Sequence, residues 1–298
     1  MSDTLPIGHW VDQAVHYLLD HDAAAFDTVG RAIEGLAALI ERSLQAVPMG
    51  LMMAVFIGIG LWRVGWRFAL FTAASFFIIS ATGFWDQTIV TLGLTLSSTI
   101  ISLALGVPLG IWAARSRVVS AVVRPILDLM QTMPAFVYLI PAAMLFGLGR
   151  VPGILSTVIF AMPPAVRLTS LGIRQVNMEL VEAGLAFGCT PRQLLYKVQI
   201  PNALPSIMQG VNQTIMMALS MVIIASMVGA GGLGNEVLAS IQRLDIGLGF
   251  ESGLSVVLLA IVLDRITESF GRAPGTERAP LFTGLRHLFS AKAAPVQT

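Results

Sequence analysis

Apolar residues gather along this chain in blocks of two kinds. Between Phe26 and Val47 they recur at helical spacing, with Val29, Ile33, Leu36, Ala37, Ile40 and Leu44 on one face and Arg31, Glu34, Glu41 and Arg42 elsewhere around the turn. This predicts an amphipathic helix lying on a membrane surface or on the protein itself. From residue 48 the apolar runs become continuous, at about 48–62, 68–85, 88–114, 133–149, 152–171, 206–230 and 252–270. A bilayer core takes about 20 residues of helix. The runs therefore predict an all-α membrane protein with about seven transmembrane helices, the first and fourth short enough to be tilted, broken or extended. Pro108, Pro134, Pro141, Pro152, Pro163 and Pro164 lie within or at the edges of these runs. Such a density predicts irregular helices packed around a pathway, since neighbours must satisfy the carbonyls that proline frees.

One polar stretch interrupts the pattern, Glu182 to Pro205, between the fifth and sixth runs. Gly184 and Gly188 lie four residues apart, and Thr190-Pro191 suits the N-cap and first turn of a new helix. Arg192 to Val198 then predicts a short amphipathic helical segment closed by Pro201 and Pro205. The expectation is a short helix–turn–helix with a hydrophilic outer face, shaped to be gripped from the water.

Charge gives this stretch a side. Of the eighteen lysines and arginines, fourteen fall in one set of loops and only Arg31, Arg42, Arg150 and Arg243 in the other. Basic loops remain in the cytoplasm, which predicts an N-terminus outside, a cytoplasmic C-terminus and a cytoplasmic polar stretch. The expected organisation is a periplasmic acidic and amphipathic extension at 1–47, a transmembrane domain at 48–271 with its loop at about 174–205, and a cytoplasmic tail at 272–298 with one amphipathic turn near Leu285–Phe289. Charged residues make up 12% of the chain and mean hydropathy is +0.79. A soluble domain carries about 25% charged residues, so composition agrees with a polytopic membrane protein. Net charge is +1 without any basic tract, which gives no footing for nucleic acid. The single cysteine, Cys189, reads as a small filler residue.

Catalytic chemistry is hard to place. The only lysines, Lys197 and Lys292, follow no GxxxxGK[ST] glycine loop, so no P-loop ATP site is predicted. Gly229 to Gly234 matches GxGxxG but follows an apolar run rather than a strand, and predicts a bend, with a candidate hinge at a gate. His9, His16, His21 and His287 lack ligand spacing, and no metal site or cofactor is expected. Ser97, Ser98, Thr99 and Ser102 predict helix–helix contacts, as do Gly58, Gly60, Gly93, Gly106 and Gly110. Asn212 and Gln213 are candidates for a polar pathway. Asp264, Arg265 and Glu268 lie towards the cytoplasmic end of the last run, where they can reach the interface or pair. Met133, Phe136 and Tyr138 add Met and aromatic faces able to pass a quaternary ammonium group, or simple packing.

The polar stretch resembles the EAA loop of bacterial ABC importer permeases: EAA, three residues, G, nine residues, I-x-L-P. Glu182, Ala183 and Gly184 stand for EAA, Gly188 for the glycine, and Val198, Ile200 and Pro201 for the closing motif. Departures are Gly184 for alanine, Val198 for isoleucine and Ile200 for leucine. Over about 85–270, and most visibly at 131–176, the chain resembles permeases of compatible-solute importers for glycine betaine, proline betaine and choline. That resemblance implies the type I ABC importer permease fold and a loop that docks on a cytoplasmic ATPase, where ATP and Mg would bind. It also implies a homodimer with a second permease copy, a periplasmic or lipid-anchored substrate-binding protein, and residence in the bacterial inner membrane. A permease for methionine or another amino acid shares the loop, and an ion-coupled transporter working alone is the alternative of a different class.

Overall fold

The computed structural model describes residues 7–271, with side chains from residue 26 onward. The expected tail after residue 271, its turn near Leu285–Phe289 and His287 lie outside the described residues, as do the side chains of His9, His16 and His21. Every described element is helical. Helix breaks fall where the backbone cannot continue: Pro48 ends α1 (Ile7–Gln45) before α2 (Met49–Arg63), and Pro134 separates α5 (Arg117–Thr132) from α6 (Ala135–Phe146). Each of these pairs is bent by 95°. Helix α3 is Trp66–Ala81 and α4 is Trp85–Arg115. They are followed by α7 (Arg150–Arg174), α8 (Met178–Ala186) and α9 (Pro191–Gln193). A π-helical turn at Leu194–Gln199 joins α9 to α10 (Ile200–Ala225), and α11 (Leu233–Arg243) and α12 (Ile246–Gly271) complete the described residues.

Among the described residues, four helical runs are long and apolar enough to span a bilayer: α4, α7, the continuous run Pro191–Val228 and α12. The other three expected segments appear as α2, α3 and α6, with 15, 16 and 12 residues. At 1.5 Å per residue α6 reaches only about 18 Å, so the short fourth segment is one arm of a bent pair. Its other arm, α5, has no continuous apolar run, which is why hydropathy alone passed over it.

Helix α7 is the hub, set between α4 and α10, and small residues make both seams. Gly106 and Gly110 of α4 lie against Ala165, Val166 and Thr169 of α7; on its other side Gly172 meets Ala203 and Ser206, and Gly210 meets Pro164 and Leu168. A Cβ on Gly110 would stand 2.7 Å from the Val166 carbonyl oxygen, so the backbones are nearly in contact. The serines and threonines expected at helix contacts are indeed buried there. Thr91, Thr95 and Ser97 hydroxyls donate to carbonyls one turn back, Gln87, Thr91 and Gly93, which lets polar side chains lie in an apolar seam. Gly58 differs, being exposed with open space around it.

The expected amphipathic helix is longer than its periodic stretch and lies on the protein. Ile33 and Ala37 enter a core cluster with Leu94, Ile154, Val158 and Val222, while Val29 is exposed. Phe26 meets Phe146 edge to face, with centroids 5.8 Å apart. Glu41, placed off the apolar face by periodicity, is buried at 8% exposure. Its carboxylate takes both terminal nitrogens of Arg150, at 2.7 and 3.2 Å, and an amide hydrogen bond from Gln45. A paired charge can be buried where a periodicity count expects solvent. Removing Arg150 as alanine strands that carboxylate, so the purified chain should lose about 1–2 kcal/mol of stability, discounted because the arginine is one-third exposed. A Glu41→Ala/Arg150→Ala double variant should regain part of the loss in thermal unfolding. Strict additivity would mean that the pair is uncoupled.

The glycine-rich turn after α10 is a bend, as expected, and a tightly tied one. Gly229, Gly231 and Gly232 have φ of 86°, 90° and 84°, values a side chain would strain. The Leu233 amide donates to the Thr91 hydroxyl at 2.8 Å, Ser226 donates to the Gly231 carbonyl at 2.7 Å, and the Gly149 amide donates to the Val228 carbonyl at 3.0 Å.

Candidate functional site

The polar stretch folds as predicted in its first half. Asn177 caps α8 by accepting from the Glu179 amide. At its other end the Cys189 amide donates to the Gly184 carbonyl and the Gly188 amide to Leu185, the double closure that needs a left-handed residue. Gly188 supplies it with φ 77°. Thr190 then caps the next helix, its hydroxyl accepting from the Gln193 amide at 3.3 Å while the Thr190 amide donates to Gln193 Oε1 at 2.8 Å.

In the second half the structure departs from expectation. Pro201 and Pro205 do not close a separate short helix; winding continues from Pro191 to Val228. The wide turn at Leu194–Gln199 accounts for the passage through Pro201, whereas Pro205 lies within α10 itself. A proline collides with the carbonyl four residues back and offers it no hydrogen. Where bonds reach five residues back, as from the Ile200 amide to the Leu195 carbonyl, that geometry is relaxed.

The motif residues divide into two jobs. Gly184 is buried and faces Leu194 and Val198, so α8 lies flat on the π-helical turn. A Cβ at Gly184 would meet only the far end of the Leu194 side chain, at 2.8 Å, so an alanine could be admitted by a rotamer change. Ile200 packs with Ile173, Leu195, Ala203 and Ile207. Glu182, Ala183, Gly188 and Pro201 are exposed. Around them stand apolar side chains that the reading of a hydrophilic face missed: Leu185 at 54% exposure, Phe187 at 89% and Tyr196 at 66%. The signal was present. Gly184 marks the packed side of α8, and Leu185, about 100° further round the helix, must point away. The outer face is therefore mixed, a carboxylate beside apolar and aromatic surface, as protein interfaces are.

The candidate pathway residues do not converge. Tyr138 is buried in a cluster with Leu139 and Met221, against which Met133 packs. Phe136 is 47% exposed on α6 and Gln213 is exposed on α10. Asn212 donates to the Asp264 carboxylate at 3.0 Å, tying α10 to α12, and Arg265 pairs with Glu268 at 3.1 Å. No group of metal-binding side chains occurs among the described residues.

Against known families, residues 106–273 match the model described as "Binding-protein-dependent transport system inner membrane component". The chain belongs to this family of membrane permeases. The matched segment spans α7, the exposed loop and α10 together. The glycine betaine/proline betaine transport system permease protein ProW of Escherichia coli is 46% identical over 269 residues, covering 90% of this chain and 76% of that protein. The glycine betaine/carnitine transport permease protein GbuB of Listeria monocytogenes is 46% identical over 278 residues, covering 92% of this chain and 98% of its own. Among solved structures, the inward-facing MetNI methionine ABC transporter superposes with a TM-score of 0.55 at 22% identity, over 61% of this chain and 92% of that one. That likeness shows the fold, the type I ABC importer permease. As a permease the chain is a transport subunit of a multi-subunit system, not an enzyme.

Proposed function

We propose that this permease forms the membrane pathway of an ATP-driven importer for quaternary-amine osmolytes such as glycine betaine, proline betaine or choline. ATP and Mg would bind a separate cytoplasmic ATPase, and the α8–α9 loop would be the surface that ATPase grips. A substrate-binding protein would deliver cargo from outside and a second copy of the permease would complete the pathway. The exposed apolar side chains of α6 (Phe136, Val137, Ile140 and Met144) are surface for such a copy. The chain would lie in the bacterial inner membrane with its N-terminus outside, as the basic loops imply.

The cargo reading rests on one observation: identity of 46% over about nine-tenths of the chain to permeases named for betaines. The docking reading rests on the loop's mixed exposed face. Coupling then needs only differential affinity: a partner that binds two arrangements of α8 and α10 unequally shifts their populations.

The test is uptake of radiolabelled glycine betaine into vesicles holding this chain with its ATPase and binding protein, with Glu182→Ala and Gly188→Glu alongside. ATP-dependent uptake, competed by unlabelled proline betaine or choline, should fall at least about tenfold in both variants, the scale of one interface hot spot. Uptake by the chain alone, indifferent to ATP and to the loop, would overturn the reading. ATP-driven transport of methionine in place of betaine would replace the cargo.

A further inference from the structure

A cavity of about 280 Å³ lies between α5 and the loop-side ends of α4 and α7. Its walls carry three guanidinium groups, Arg124, Arg167 and Arg174, against one carboxylate, Asp128. Asp128 pairs with Arg167, and Arg174 donates to the Ala113 carbonyl. Arg124 has neither ion pair nor hydrogen bond among the described residues, and the hydroxyls of Ser120 and Ser170, which also line the cavity, have no hydrogen-bond partner there. Ser120 is itself buried. The site thus holds two positive charges beyond its carboxylate, together with unused hydroxyl donors.

Its depth is marked by its neighbours. Ala113 and Arg174 stand at the ends of two membrane-length helices, and Trp112, beside Ala113, is 62% exposed. The α2–α3 turn reaches the same side, where Arg63 donates to the Ser269 carbonyl near the end of α12 and Gly271 lies against Met208 of α10. There Trp62 and Trp66 are also exposed, with Arg63 and Arg67 over their rings at 5.5 and 5.6 Å. Tryptophan so placed belongs at the headgroup level of a bilayer. Leu171, 46% exposed, gives the cavity an apolar rim. Helix α5 also turns an exposed stripe of Val118, Val122, Ile126 and Leu129 away from the arginines, so an amphipathic helix roofs the site.

From these observations we propose that the cavity binds the phosphate of an anionic phospholipid from the leaflet on the loop side. Arg124 offers its fork to the phosphate oxygens, Arg174 adds charge, Ser120 donates a hydroxyl hydrogen bond, and the acyl chains leave past Leu171. A guanidinium fork suits a phosphate oxygen pair, and basic pockets between membrane helices on the cytoplasmic side are suited to acidic headgroups. The proposal is independent of the cargo.

Native mass spectrometry of the full-length chain, released from detergent with equimolar dioleoyl phosphatidylglycerol and dioleoyl phosphatidylcholine, reads it directly. Wild type should retain the phosphatidylglycerol adduct in preference. Arg124→Gln should cut that adduct about tenfold with the melting temperature unchanged, since Arg124 has no internal hydrogen bond or ion pair to lose, and Arg124→Lys should keep most of it. Ser120→Ala should give a smaller loss of the same adduct. Equal retention of the two lipids by wild type, or retention unaffected by Arg124→Gln, would overturn the proposal. Displacement of phosphatidylglycerol by millimolar inorganic phosphate would overturn the lipid as its source and leave free phosphate as the ligand.

Discussion

Phe187→Glu is expected to abolish ATP-driven uptake while leaving the permease folded in the membrane. The side chain is 89% exposed and precedes the left-handed Gly188, so substitution costs the isolated chain almost nothing. In a docked complex the ring would be buried by the partner. An aromatic anchor at the centre of an interface contributes about 2 kcal/mol or more, and a carboxylate in its place adds a desolvation cost. Uptake and ATPase co-purification should both fall more than about tenfold, with an unchanged melting temperature for the purified chain. Retained ATPase binding would exclude Phe187 from the docking face. Loss of both binding and folding would show that the ring has a structural contact within the permease.

Gly110→Leu is expected to have the largest effect on folding. A Cβ there stands 2.7 Å from the Val166 carbonyl oxygen and 2.8 Å from Thr169 Cβ. The obstacle includes backbone, so no rotamer relieves it, and α4 must move off α7. Overpacking of this kind costs about 3 kcal/mol or more, a large share of a total that is typically about 5–15 kcal/mol. The variant should aggregate in detergent or melt well below wild type. Gly58→Leu, which enters open space, should behave as wild type. Equal stability of the two variants would show that the α4–α7 seam is not as close as described.

These two sites also show what could be read from residue order. Gly184, Gly188, Thr190 and Pro191 revealed the loop because each has a local job, a close approach, a left-handed cap, an N-cap and a first turn, that depends on few neighbours. The apolar runs gave the spanning helices for the same reason. Glu41 could not be read this way. Its burial depends on Arg150, 109 residues away, and no local period carries that information. Nor could the passage through Pro201 be foreseen, because a π-helical turn has no strong sequence signature, and at Pro205 too proline normally argues for an end. Residue type alone does not say which way a side chain points: Asn212 turns to Asp264 and Tyr138 into a packed cluster.

The unbroken winding from Pro191 to Val228 has a mechanical consequence. Thirty-eight residues make a rod about 57 Å long. Swung by about 5° about its Pro191 end, its far tip travels about 5 Å, roughly the pitch of one helical turn. That tip is where Val228 holds Gly149, and just beyond it Leu233 holds Thr91. A joint at the prolines would dissipate the stroke as local bending. Because the winding is continuous, a small rotation applied at one end arrives at the other as a displacement large enough to exchange one set of side-chain contacts for the next.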